Sequence, residues 1–140
     1  MNKALPLLVL AGIAGCGQDP SPSPRGRLLD AEGNAALELE IAVAETEYER
    51  QEGLRRHGPL ADGEALLLIF PAETRVCITN TGVPFPIDVL YLSADRRVIA
   101  AELDIPPNAE GPYCHPETQL ALELNGNALV TPNYSKLELF

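Results

Sequence analysis

The chain has 140 residues, with ten Lys and Arg against twenty Asp and Glu, for a formal net charge of −10. That length suits one domain and hardly two, and so acidic a balance excludes a nucleic-acid binder, which needs a basic footprint for phosphates. With no Trp and only 5% aromatic residues, a broad stacking platform for sugars or bases is also excluded.

Lys3 precedes an apolar stretch, Ala4 to Gly12, and then Ile13-Ala14-Gly15-Cys16. A short basic start, about a dozen apolar residues and small residues before a cleavage point mark a secretory signal. The stretch is shorter than the roughly twenty residues a membrane-spanning helix needs. Ile-Ala-Gly-Cys resembles the lipobox of bacterial lipoproteins. The resemblance implies removal of residues 1–15 and a lipid on Cys16, the new N-terminus. Plain secretion with cleavage near Ala14 is the alternative. Gly17, where Asp would retain a lipoprotein at the inner membrane, resembles the pattern that permits release to the outer membrane. Loss of Lys3 takes the charge to −11. No polybasic patch remains, so the lipid must supply the membrane affinity.

Residues 16–27 carry Asp19-Pro20-Ser21-Pro22-Ser23-Pro24 and almost nothing apolar. Such a segment is expected to be a semi-extended tether of about 30 Å, with a single domain over residues 28–140. Leu37, Leu39, Ile41 and Val43 alternate with polar or small residues, which predicts a half-buried strand. Thr46 and Glu49 match a capping box, so one short helix is expected from about Glu47 to Arg56, ending before Gly58-Pro59. Ala65–Phe70 reads as a strand buried on both faces. Further strands are expected at Arg75–Asn80, Ile87–Leu92, Arg97–Leu103, Gln119–Asn125 and Lys136–Phe140. Ser93–Arg96 and Asn125-Gly126-Asn127 read as hairpin turns. The four prolines between Pro106 and Pro116 predict a loop. The fold class is therefore mainly β (α+β by strict count): a small antiparallel sheet curled into a barrel-like domain with one short helix.

With Cys16 assigned to lipid, Cys77 and Cys114 form an even pair in an oxidising compartment and are expected to be bridged. Such a loop stabilises by about 4 kcal/mol in the chain-entropy view. Two free thiols, or a Cys114–His115 nucleophile pair, are the competing readings.

Several short stretches follow one order: Ala44, Thr46, Glu49-Arg50 and Gly53-Leu54; then Leu67-Leu68-Ile69-Phe70; then Asn80-Thr81; then Ile87-Asp88; then Leu122-Glu123 and Gly126. Together they resemble the domain-of-unknown-function 192 family, small secreted or lipid-anchored domains. The resemblance covers roughly residues 37–126 and implies a compact, mostly β, barrel-like domain without a defined activity. The chain departs from the family pattern at Arg55, where the family has Met, and at His57, where it has Arg. Cys77-Ile78-Thr79 replaces an aromatic-Met-Lys stretch, and two extra residues lie between Thr81 and Asp88.

Asp88 interrupts an otherwise apolar strand and must find donors, because an unpaired buried carboxylate is costly. Asn80, Thr81 and Arg50 are its expected partners, either as a fold-locking network or as a small polar pocket with His57 at its rim. Arg50 can face an anion or fix the helix against neighbouring carbonyls. A zinc site from His57, Cys114, His115 and a carboxylate matches no compact spacing, so no metal or other cofactor is expected. Phosphate loops, nucleophile elbows and His-Glu-x-x-His stretches are absent from the sequence. The expected function is a non-enzymatic binding or interaction module of the cell envelope, lipid-anchored at the outer membrane and facing the periplasm. Its partner would be an undetermined small ligand or envelope protein. An envelope enzyme using Asp88 as base and His57 as acid, and a structural lipoprotein offering a strand edge, are the alternatives.

Overall fold

The computed structural model describes residues 23–140. The signal at residues 1–15, the lipid-bearing Cys16 and Gly17 lie outside them, as does most of the tether. The first strand, β1 (Arg25–Leu29), begins within the stretch expected to be tether. Residues 25–27 carry no apolar side chain, but their backbone pairs on both sides, with Glu38–Glu40 and with the C-terminal segment. Ladder hydrogen bonding therefore extends the domain three residues ahead of Leu28.

A turn held by Asp30, whose Oδ1 accepts from the Glu32 and Asn34 amides, leads to β2 (Ala35–Ala44). Helices α1 (Glu47–Glu52) and α2 (Leu54–His57) follow, then β3 (Glu64–Ile78), β4 (Ile87–Leu92), β5 (Val98–Ile105), β6 (Tyr113–Asn125) and β7 (Lys136–Leu139). All seven strands form one sheet in the order β5-β4-β6-β3-β2-β1-β7. Its pairings are antiparallel except β2–β3, where the helical crossover returns the chain in parallel.

The sheet curls until its edge strands meet at one end. Arg97 and Lys136 form a bridge, and the Val98 amide donates to Ser135 O at 3.0 Å. The result is a half-barrel with one core on each face. Leu28, Ile41, Leu67, Leu90, Leu122 and Leu137 share one cluster although they come from six strands; only a concave face can bring such distant strands together. Leu66, Leu68, Val89, Tyr91 and Ala121 project the other way, where Leu54, Ile78 and Val83 cover them. That alternation explains why Ala65–Leu68 is apolar without interruption.

Four elements differ from the expectations. The single helix is two, because Gly53 adopts φ 49°, ψ −136° between them. Ala65–Phe70 and Arg75–Ile78 belong to one strand, which ends before Thr79 and Asn80 and is bent by irregular register between Ile69 and Val76; Pro71, which has no N–H to donate, falls in that irregular stretch. β6 starts at Tyr113, inside the expected proline loop, since Pro116 and Glu117 are accommodated by a register shift opposite Thr74–Val76. The Asn125–Asn127 turn closes on an Ala128 amide to Asn125 O bond of 3.1 Å. It joins no hairpin, because β6 pairs with β3 and β4, and β7 with β1. Ser93–Arg97, by contrast, does close the β4–β5 hairpin.

Candidate functional site

On the helix-covered face of the sheet lies a cleft of about 480 Å³. Three chain segments make it: the α1–α2 elbow, the end of β3 with the loop after it, and the central strands β3, β4 and β6. The capping box at Thr46 forms as expected, with the Glu49 amide donating to Thr46 Oγ1 at 3.1 Å. It sets the start of α1 and thereby places Arg50 and Gln51 along one side of the cleft. Cys77 and Cys114 are bridged and stand directly opposite each other in the β3–β6 ladder. Cys77, Ile78, Thr79 and Asn80 form the facing wall.

The innermost polar group is Glu123, on β6, only 4% exposed. It sits in the ladder between Leu66 of β3 and Val89 of β4, on the face shared with Ala121. Among the described residues no side chain or amide donates to its carboxyl. A Cβ on Gly53 would stand 3.4 Å from its Oε2, so the helix elbow packs against it. Removal from water disfavours the ionised form and pushes its pKa up to about 7.

Asn80 is wholly buried at the cleft wall. Its side-chain amide donates to Phe85 O at 3.0 Å and Pro106 O at 2.9 Å, which fixes its orientation and leaves Oδ1 without a donor. Arg50 donates to the carbonyls of Glu45 and Ile69, the latter at 2.9 Å, and its guanidinium lies over the Phe70 ring at 5.1 Å. The arginine thus ties the helix to β3 while it lines the cleft. Arg55 donates to Gln51 O, and its aliphatic stem packs against Gly82.

Of the residues singled out from sequence, Arg50, Asn80 and Thr81 line the cleft together. His57 ends α2, exposed, and is not among the lining residues. Asp88 is buried at 1% exposure, but its partners are none of those expected. Oδ1 accepts from the Asp104 amide at 2.8 Å and Oδ2 from the Leu129 amide at 3.0 Å. Asp88 therefore satisfies backbone at the β5 irregularity and in the segment before β7, away from the cleft. Neither Asp88 nor His57, the expected acid–base pair, lines this cleft. His115 pairs with Glu102 at 2.9 Å beneath the Tyr91 ring, and Cys114 is held in its disulfide. Among the described residues no three His, Cys, Asp or Glu side chains converge as a metal-ligand set.

Sequence reading did not single out Glu123 as a site residue. The signal was present: a carboxylate within Leu120-Ala121-Leu122-Glu123-Leu124, the same pattern that drew attention to Asp88.

The profile of the domain-of-unknown-function 192 family, described as an uncharacterized ACR, matches residues 28–133. The chain belongs to this family. Its family motifs thus acquire places: Arg50, Gly53 and Leu54 from the first, Asn80 and Thr81 from the second and Glu123 from the third all border the cleft. Asp88 and Gly126, also from family motifs, anchor the adjacent turns; a Cβ on Gly126 would stand 2.7 Å from Pro86. Two solved structures share the fold. One, from Sinorhizobium meliloti and named as a proposed transcription regulator, is 23% identical with a TM-score of 0.76, over 85% of this chain and 95% of that one. The other, a protein of unknown function from Novosphingobium aromaticivorans, is 22% identical with a TM-score of 0.71, over 81% and 83%. No curated protein matches the chain.

Proposed function

We propose that this domain is a non-enzymatic ligand-binding module of the bacterial cell envelope, held by lipid on Cys16 at the periplasmic side of the outer membrane, and that the Glu123 cleft is its binding site. One observation carries the binding half. A carboxyl group buried at 4% exposure lines a cleft of mixed polar and apolar walls, and no described residue donates to it. Unsatisfied buried carboxyls are unfavourable for stability alone. A concave cleft of several hundred Å³ that combines apolar side chains with fixed polar groups is a candidate small-molecule site. Asp88, the other buried carboxylate, accepts a backbone amide on each oxygen.

The anchor half rests on Ile13-Ala14-Gly15-Cys16 and on Gly17. Globomycin treatment of expressing cells should accumulate a precursor, and a Cys16→Ser chain should leave the membrane fraction. Unchanged mobility and fractionation would remove the anchor from the reading.

The binding half is tested by thermal shift against envelope sugars, peptidoglycan fragments, small anions, peptides and organic amines. A ligand at about a hundred times its dissociation constant adds about 2.7 kcal/mol. That corresponds to a rise of several degrees in Tm. The rise should vanish in Thr81→Arg, which places a bulky side chain at the exposed edge of the cleft. A panel without any response would leave a protein partner as the better reading.

A further inference from the structure

The cleft wall has a chemical bias, and we infer that its ligand is a small organic ammonium ion: an amine head received by Glu123 and Asn80 Oδ1, on an apolar body. This rests on the cleft being a ligand site, as proposed above. The cleft wall offers two acceptors to which no described residue donates: the Glu123 carboxyl, on a residue 4% exposed, and the buried Asn80 Oδ1, whose amide nitrogen is already committed to two carbonyls. An ammonium group supplies up to three donors and no acceptor, the complement such a wall requires. A carboxylate or phosphate head would set acceptor against acceptor.

The nearby cations do not fill this role. Arg50 is committed to the Glu45 and Ile69 carbonyls, and Arg55 to Gln51 O. Both guanidinium groups border the same cleft as Glu123, yet neither forms an ion pair with it within 4.0 Å. Glu47 and Glu52 also line the cleft, so three carboxylates face two guanidiniums. The balance welcomes a cation. A bare metal ion would need further oxygen, nitrogen or sulfur ligands, and among the described residues no such set of three converges. An ammonium needs only acceptors and an apolar patch for its carbon body, and Leu54, Leu68, Ile78, Val83 and Ile87 border the cleft on its apolar side.

Isothermal titration calorimetry of the purified full chain with isoamylamine, isoamyl alcohol and isovalerate separates the head groups on one carbon skeleton. Isoamylamine should bind at least about tenfold tighter than either companion, since charge-assisted hydrogen bonds are the stronger ones. Glu123→Gln, isosteric and without a buried charge to destabilise the fold, should abolish that preference. Equal or tighter binding of the alcohol or of isovalerate would overturn the amine assignment while leaving the cleft as a binding site. Amine binding that persists in Glu123→Gln would overturn the assignment to this carboxyl. Failure of all three probes would overturn both the amine and the ligand-binding reading of the cleft.

Discussion

Glu123 Oε2 lies 3.4 Å from the point where a Cβ of Gly53 would stand, so the helix elbow closes directly over the buried carboxyl. Gly53 holds φ 49°, ψ −136°, a conformation that side-chain-bearing residues reach only with strain. The space for a methyl group is that of an ordinary van der Waals contact, so backbone strain dominates the effect of a substitution. Gly53→Ala should destabilise the domain by roughly 1–2 kcal/mol. Differential scanning fluorimetry should show Tm lower by a few degrees. The loss should be nearly the same in a Glu123→Gln background, because the strain lies in the backbone and not in the carboxyl.

Glu123 also makes stability depend on pH in a definite direction. Its carboxyl is pushed up to about 7 in the folded chain, against an ordinary value of 4.5. Between these values the folded state holds a proton that the unfolded state has released. Stability contributed by this group is therefore present below about pH 4.5 and is lost as pH rises through about 7. The loss is on the order of 3 kcal/mol across that window. The charges bordering the same cleft are Glu47, Glu52, Arg50 and Arg55. Urea midpoints measured from about pH 5 to about pH 8 should fall in the native chain, and Glu123→Gln should remove that component of the slope.

Asp88 holds two amides that strand pairing leaves over, those of Asp104 and Leu129. Asp88→Ala strands two buried N–H groups and should destabilise by about 2–4 kcal/mol. Hydrogen exchange at the Leu129 amide should accelerate well beyond the global change. Asp88→Asn should fall between, since its side chain keeps one acceptor oxygen and turns an NH₂ toward the other amide. Binding in the Glu123 cleft should be unaffected by either variant wherever the chain remains folded. Loss of binding at full stability would place Asp88 in the site after all.

The Cys77–Cys114 bridge joins the outer parts of β3 and β6, and the cleft wall at Ile78–Asn80 follows directly on it. A reductant, or Cys77→Ser with Cys114→Ser, should lower stability by about 4 kcal/mol on the chain-entropy account. The denaturant midpoint should fall and the slope steepen, because the unbridged unfolded chain exposes more surface. Ligand affinity at the cleft should weaken alongside, because the wall that carries Asn80 loses its tie to β6.

What could be read from the sequence was what local chemistry controls. The capping box at Thr46 and Glu49, the alternation through Leu37–Val43, the all-apolar strand at Ala65–Leu68 and the hairpin at Ser93–Arg97 each depend on neighbours within a few residues. The cysteine pair was legible by counting, and the family by the order of its motifs. The tertiary structure decided the rest. Whether a buried carboxylate inside an apolar strand is satisfied depends on which distant amides reach it: Asp88 meets Leu129 across 41 residues, and Glu123 meets none among the described residues. Both residues have the same local pattern, and only the curl of the sheet separates them. The same curl placed Arg50, Asn80 and Glu123 around one cleft and left His57 outside it. A side chain's chemistry and its strand face are local properties, whereas partnership is set by long-range packing that no local pattern encodes.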